Sequence, residues 1–266
     1  MILAFSATFG LATATAAVLL YGLLALARKR LPAAAASAVL LAACLLHALT
    51  LAEGLLGDPP RFGFAPAIST TVWLVVLVYA IESKLIPELR ARWPLPTVGA
   101  AAVLLSVVFP GSSYNHIASS WLPLHWALGI ASYGLFGAAL FHGLLISRAE
   151  QSMRSAIAAD TGVPLLKLER LTFRFVEAGF ILLTASLLAG WFFAETLYGP
   201  NLKSVWNHKT IFSVLAWLSF AGLLIGRARL GWRGRTARKI LYLGSGLLLL
   251  GYAGSRFVLE VVLQRA

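Results

Sequence analysis

Charge is what this sequence has least of. Asp, Glu, Lys and Arg make up 12% of its 266 residues, about half the share found in soluble domains. Too little polar surface remains to cover a globule in water. Acid is scarcer still, with 10 Asp and Glu against 22 Lys and Arg. Cysteine occurs once, as Cys44 inside an apolar run, which excludes an internal disulfide and any Cys-x-x-Cys redox or metal motif. The sequence predicts no strands, so no glycine-rich phosphate loop can follow one. No nucleophile stands with a histidine and an orienting acid at a recognisable spacing; Ser112, Ser113 and Ser119 around His116 read as polar linker. No internal repeat is visible, which argues against an inverted-repeat transporter.

What the chain has instead is apolar residues, 59% of the total, in runs of bilayer-crossing length. Eight runs are readable, at about 5–27, 33–56, 66–84, 96–110, 122–147, 173–197, 206–226 and 238–262. The expected fold is therefore all-α: a polytopic membrane bundle of about eight spans, one transmembrane domain over 1–266. The fourth run is the shortest, bracketed by Pro94, Pro96 and Pro110. The first has no basic segment before it and ends in Arg28-Lys29-Arg30, so it reads as an outside-in span and not a cleaved signal peptide. Ahead of the sixth run, Leu165 to Leu171 is amphipathic and follows Pro164, the pattern of a short interfacial helix.

The net charge of +12 would suggest nucleic acid in a soluble protein. Its placement says otherwise. Seventeen of the 22 basic residues fall after runs one, three, five and seven, the densest group being Arg227, Arg229, Arg233, Arg235, Arg238 and Lys239. That alternation is the positive-inside pattern; it excludes nucleic acid as the partner and puts both termini outside. Topology plus attraction to anionic lipid accounts for these loops.

Ionisable residues inside a membrane are costly and so are candidates for function. The acids say little, because Glu53, Glu195 and Glu260 lie near outer ends and Glu82 and Glu177 near inner ends. No mid-depth acid is available for a proton relay. The histidines say more. His125 and His208 each begin an outward-facing helix end, while His47 lies deeper, in Leu-Leu-His-Ala-Leu. His116 is in an outer loop and His142 toward an inner end, roughly 25 Å of helix from His125. Two imidazoles at one depth on separate helices can grip a heme iron from both faces. The plainer alternative is that His125 and His208 are interfacial caps, and that His47 bonds a Ser or Thr of a neighbouring helix. Trp121, Trp126, Trp191 and Trp206 gather on the outer side, as an aromatic belt or as a wall for a planar macrocycle. Lys203, Lys209 and Arg256 could each pair with a heme propionate, although Glu260 stands one turn from Arg256.

Several spacings agree in order with a known family. Leu124-His125-Trp126-Ala127 through Ser132-Tyr133, then Gly179-Phe180, Leu183-Thr184 and Gly190, then Trp206, Trp217 and Gly226-Arg227 before Gly231-Trp232-Arg233-Gly234, resemble the cytochrome c assembly family (CcsA/ResC/HemX-like), with a core at about 60–262. The resemblance implies heme handling in a bacterial inner membrane, with His125 as an external heme ligand. Departures accompany it. Ser204-Val205-Trp206-Asn207-His208-Lys209-Thr210 replaces the family's tryptophan-rich Trp-Asp-Pro loop, Phe64 and Ile225 stand where membrane histidines are expected, and the last outer loop is absent. This pattern resembles the short eight-helix, YpjD-like branch. It implies binding of non-covalent b-type heme by His125 and His208, with His47 as a further ligand, without the loop of a complete heme lyase. The alternative is an accessory membrane protein acting through a partner, such as a cytochrome c assembly, heme-biosynthesis or transport complex.

Overall fold

The fold comes from a computed structural model that describes residues 7–27, 30–57, 59–86, 94–113, 122–154, 164–192 and 208–264. It is helical almost throughout, because a bilayer offers no water to satisfy backbone N–H and C=O groups and a helix satisfies its own. Seven helices are long and apolar enough to cross a membrane, and an eighth apolar helix is shorter. The described residues form two compact units, 1–115 with 256–266, and 116–255.

The first unit contains α1 (Ala7–Leu26), α2 (Ala33–Leu56), α3 (Phe64–Leu85) and α4 (Pro94–Val108). Each helix packs on the next, and α4 returns to α1, closing a ring of four. Prolines mark the starts: Pro32 is the N-cap of α2, and Pro94 and Pro96 sit in the first turn of α4, where a missing N–H costs nothing. At 15 residues α4 is about 22 Å long, short of the roughly 30 Å hydrocarbon core. A two-residue antiparallel ladder, β1 (Arg61–Phe62) with β2 (Ser112–Ser113), ties the entry of α3 to the chain after α4. The expectation of no strands misses this ladder, which is too short to leave a period-two signal.

The second unit contains α5 (Leu122–Arg154), α6 (Leu165–Phe192), α7 (His208–Leu230) and most of α8 (Gly234–Val262). Its helices also form a ring, α5 on α6, α6 on α7, α7 on α8 and α8 on α5. The amphipathic segment at Leu165 is not a separate interfacial helix but the first two turns of α6. The winding of α8 loosens to π type at Leu250–Gly254 and again at Val258–Val262.

At the centre of this ring Phe136 of α5 and Phe220 of α7 stack, centroids 3.8 Å apart and planes within 7°. The outer faces of the pair meet glycines: a Cβ on Gly179 of α6 would lie 3.2 Å from Phe136, and one on Gly244 of α8 would lie 2.8 Å from Phe220. Two rings between two bare backbones let all four helices close on one point. Val176, Leu183, Leu223, Leu241 and Leu248 complete the core.

Candidate functional site

His125 lies in the first turn of α5 and is half-buried against α6. Its Nδ1 is 3.1 Å from the backbone carbonyl oxygen of Ser186. A carbonyl can only accept, so Nδ1 carries the proton and the lone pair sits on Nε2. Metal-binding histidines are typically held this way, by a backbone acceptor that fixes the tautomer and aims the other nitrogen. One turn further along α6, Gly190 makes room for the ring: a Cβ there would stand 3.3 Å from His125 Cε1.

His208 is the first residue of α7 and is exposed. In this ring of antiparallel neighbours, the start of α5, the end of α6, the start of α7 and the later turns of α8 fall at one end of the unit. Lys209 marks the join of α7 to α8, its Nζ 5.4 Å from the Tyr252 ring centroid. His125 and His208 thus share an end, and among the described residues nothing joins the two rings directly. Trp191 follows Gly190 and is 60% exposed, while Trp126 beside His125 is half-buried. Trp206, Trp121, Lys203 and His116 lie outside the described residues.

The first unit holds His47, which is fully buried at 0% exposure. Both of its nitrogens are engaged: Nδ1 is 3.3 Å from the Tyr21 hydroxyl of α1, and Nε2 is 2.8 Å from the Ser69 hydroxyl of α3. Thr13 and Thr50 bond one turn away at 3.1 Å, and the Trp73 indole N–H donates to the Cys44 carbonyl at 2.9 Å. This geometry favours the plainer reading of His47, a polar pin that ties three helices. A ligand role would first have to break one of these bonds. Arg256, also in this unit, has Nη1 3.9 Å from Glu260 Oε1, the expected pair one turn apart. Glu260 Oε2 in turn accepts from the Phe64 N–H at 3.5 Å, placing its charge at the positive end of α3.

His142 is fully buried in the second unit, edge-on to Phe175 with centroids 5.3 Å apart. Among the described residues no group of three or more His, Cys, Asp or Glu is set to hold a metal ion. A heme site does not require one, because the porphyrin supplies four nitrogens and the protein only axial ligands. The residues at the His125 end fit such a group: a fixed imidazole tautomer, aromatic surface and a nearby cation.

Sequence reasoning missed the two partners that define His125. The Ser186 acceptor is a backbone atom with no side-chain signature, and Gly190 carried only its place in a spacing pattern. The ion pairs Arg238–Glu150 and Arg227–Glu169 at the other end of the unit were also not anticipated.

A polytopic helical membrane protein with a half-buried histidine, its tautomer fixed by a backbone carbonyl, at one end of its second unit is the class that fold and site define. The chain belongs to the cytochrome c assembly protein family, whose profile matches residues 11–263. It is 27% identical over 233 residues to the inner membrane protein YpjD of Escherichia coli K12, covering 85% of this chain and 86% of that one. A 28.8 kDa protein of Azospirillum brasilense is 29% identical over 208 residues, 74% of this chain and 76% of its own. The cytochrome c biogenesis protein CcsA of Synechococcus sp. RCC307 is 25% identical over 200 residues, 61% of this chain and 64% of its own. No solved structure matches. With seven apolar helices of spanning length, the chain is a multi-pass protein of the bacterial inner membrane.

Proposed function

We propose that this protein binds b-type heme non-covalently at the His125 end of its second unit and handles it in cytochrome c assembly. Family membership supports the heme-handling role. The observation that carries the site is the Nδ1–H bond from His125 to the Ser186 carbonyl, which leaves Nε2 as the ligating atom. His208, exposed at the start of α7, would supply a second imidazole ligand. Trp126 and Trp191 offer aromatic surface, and Lys209 a positive charge for a propionate. Bound heme contributes the iron and its redox chemistry, which belong to the cofactor. The chain's own residues ligate, orient and neutralise. With the Arg-rich loops inside, this end faces outward, where c-type cytochromes are assembled.

The test is a pyridine hemochrome assay and oxidised and reduced visible spectra of protein purified from heme-replete cells. The wild-type protein should show a Soret band and b-type reduced bands. His125→Ala and His208→Ala should each lower heme content at least about tenfold, since losing even an outer partner of a metal ligand costs about that much, and His116→Ala should not. A wild-type preparation without a Soret band, or full heme content in His125→Ala, refutes the assignment.

A further inference from the structure

The opposite end of the second unit, where α5 and α7 finish and α6 and α8 begin, contains a cavity of about 200 Å³. Its depth is apolar, walled by Val176, Leu223, Leu241 and Phe173. Two ion pairs stand at its mouth. Arg238 grips Glu150 through two bonds of 2.8 and 2.7 Å. Arg227 lies 3.5 Å over the Phe173 ring and 3.4 Å from Glu169.

The cavity is below the roughly 300 Å³ at which pockets for compact organic ligands begin. A narrow apolar chain suits it better than a ring system. The charge around it is one-sided. Residues 146–154, 164–177 and 223–241 carry eleven Lys and Arg against three acids, and two of those acids are already tied to Arg238 and Arg227. Arg170 is one turn on from Leu166, which lines the cavity, and Arg235 is three residues before Arg238, so helical spacing sets both on the rim. Both are exposed. Leu166, 73% exposed, and Leu230, 67% exposed, flank the mouth with apolar surface suited to hydrocarbon.

We propose that this end of the second unit is a binding site for an anionic phospholipid, with part of one acyl chain in the cavity and the phosphate headgroup between Arg170 and Arg235. The shape accepts a chain end and the rim accepts an anion. A zwitterionic lipid offers the same chain but no net charge to the rim. The site lies at the end of the unit away from His125, so lipid occupancy and heme content are separable.

Native mass spectrometry of the full-length protein, delipidated and then incubated with mixed micelles of phosphatidylglycerol or phosphatidylcholine, tests this. The wild-type protein should retain phosphatidylglycerol preferentially, at about fivefold per rim arginine. Arg170→Gln and Arg235→Gln should each reduce that preference about fivefold, while Arg235→Lys keeps most of it. Ala237→Leu fills the cavity and should weaken retention of both lipids, leaving the headgroup preference intact. Glycerol phosphate, which lacks chains, should not compete at millimolar concentration. Equal retention of the two lipids by the wild-type protein, or unchanged preference in both exposed arginine variants, overturns the proposal. Those variants lie on the surface, so circular dichroism will confirm that they fold even if Ala237→Leu does not.

Discussion

Substituting Gly244 with alanine puts a methyl carbon 2.8 Å from Phe220 Cε1 and Cζ. Carbon atoms pack at about 3.5–4.0 Å, so the ring must retreat by about 0.7 Å or more. It has nowhere to go. Its far face stacks on Phe136 at 3.8 Å, and Phe136 is backed by Gly179, where a Cβ would stand 3.2 Å away. Overpacking of this kind costs about 1–3 kcal/mol. Alanine's better helix propensity returns at most about 1 kcal/mol. Gly246, two residues along the same helix, isolates that term, since a Cβ there meets nothing within 4 Å. Gly246→Ala should be neutral or mildly stabilising, and Gly244→Ala less stable than Gly246→Ala by about 2 kcal/mol. Gly179→Ala, at 3.2 Å, should fall between them. Combining Gly244→Ala with Phe220→Leu should cost less than the sum of the two, because the shorter side chain vacates the collision. Reversible unfolding by sodium dodecyl sulfate in mixed micelles, followed by circular dichroism, measures all five. Equal stability of Gly244→Ala and Gly246→Ala would falsify the account of the stacked pair.

The other predictions concern polar groups. His47→Ala leaves the Tyr21 and Ser69 hydroxyls without their shared partner and opens a cavity; it should cost about 2–5 kcal/mol in the same unfolding assay, yet leave heme per folded molecule unchanged. Loss of heme at full stability would restore His47 as a ligand. Gly190→Ala should crowd His125 from 3.3 Å and weaken heme affinity several-fold in a titration, with Gly190→Val worse; identical affinities would mean the glycine does not position the ring. Glu260→Gln removes a carboxylate from the start of α3 and should destabilise by about 0.3–2 kcal/mol, with Glu260→Asp in between. No change would show that the 3.5 Å contact contributes nothing.

The sequence by itself determined the solvent, the spanning helices and most of their boundaries. Runs of apolar residues and the scarcity of charge are one-dimensional properties, and a helix in lipid depends on little else. The family, too, was legible, in the ordered spacings from His125 to Gly234. What the sequence could not supply is which faces meet. The Phe136–Phe220 pair joins residues 84 positions apart, and nothing in either helix marks one Phe as the other's partner. His47 could be read as buried, but only packing reveals its partners, by setting Tyr21 and Ser69 on either side of its ring. His125 shows the division most clearly. Its type and place on α5 came from the sequence, but its tautomer came from a backbone carbonyl 61 residues away. That carbonyl is common to every residue type. Only the tertiary structure could bring this one to the imidazole, because the position depends on how two helices pack and on Gly190 letting the ring lie against α6.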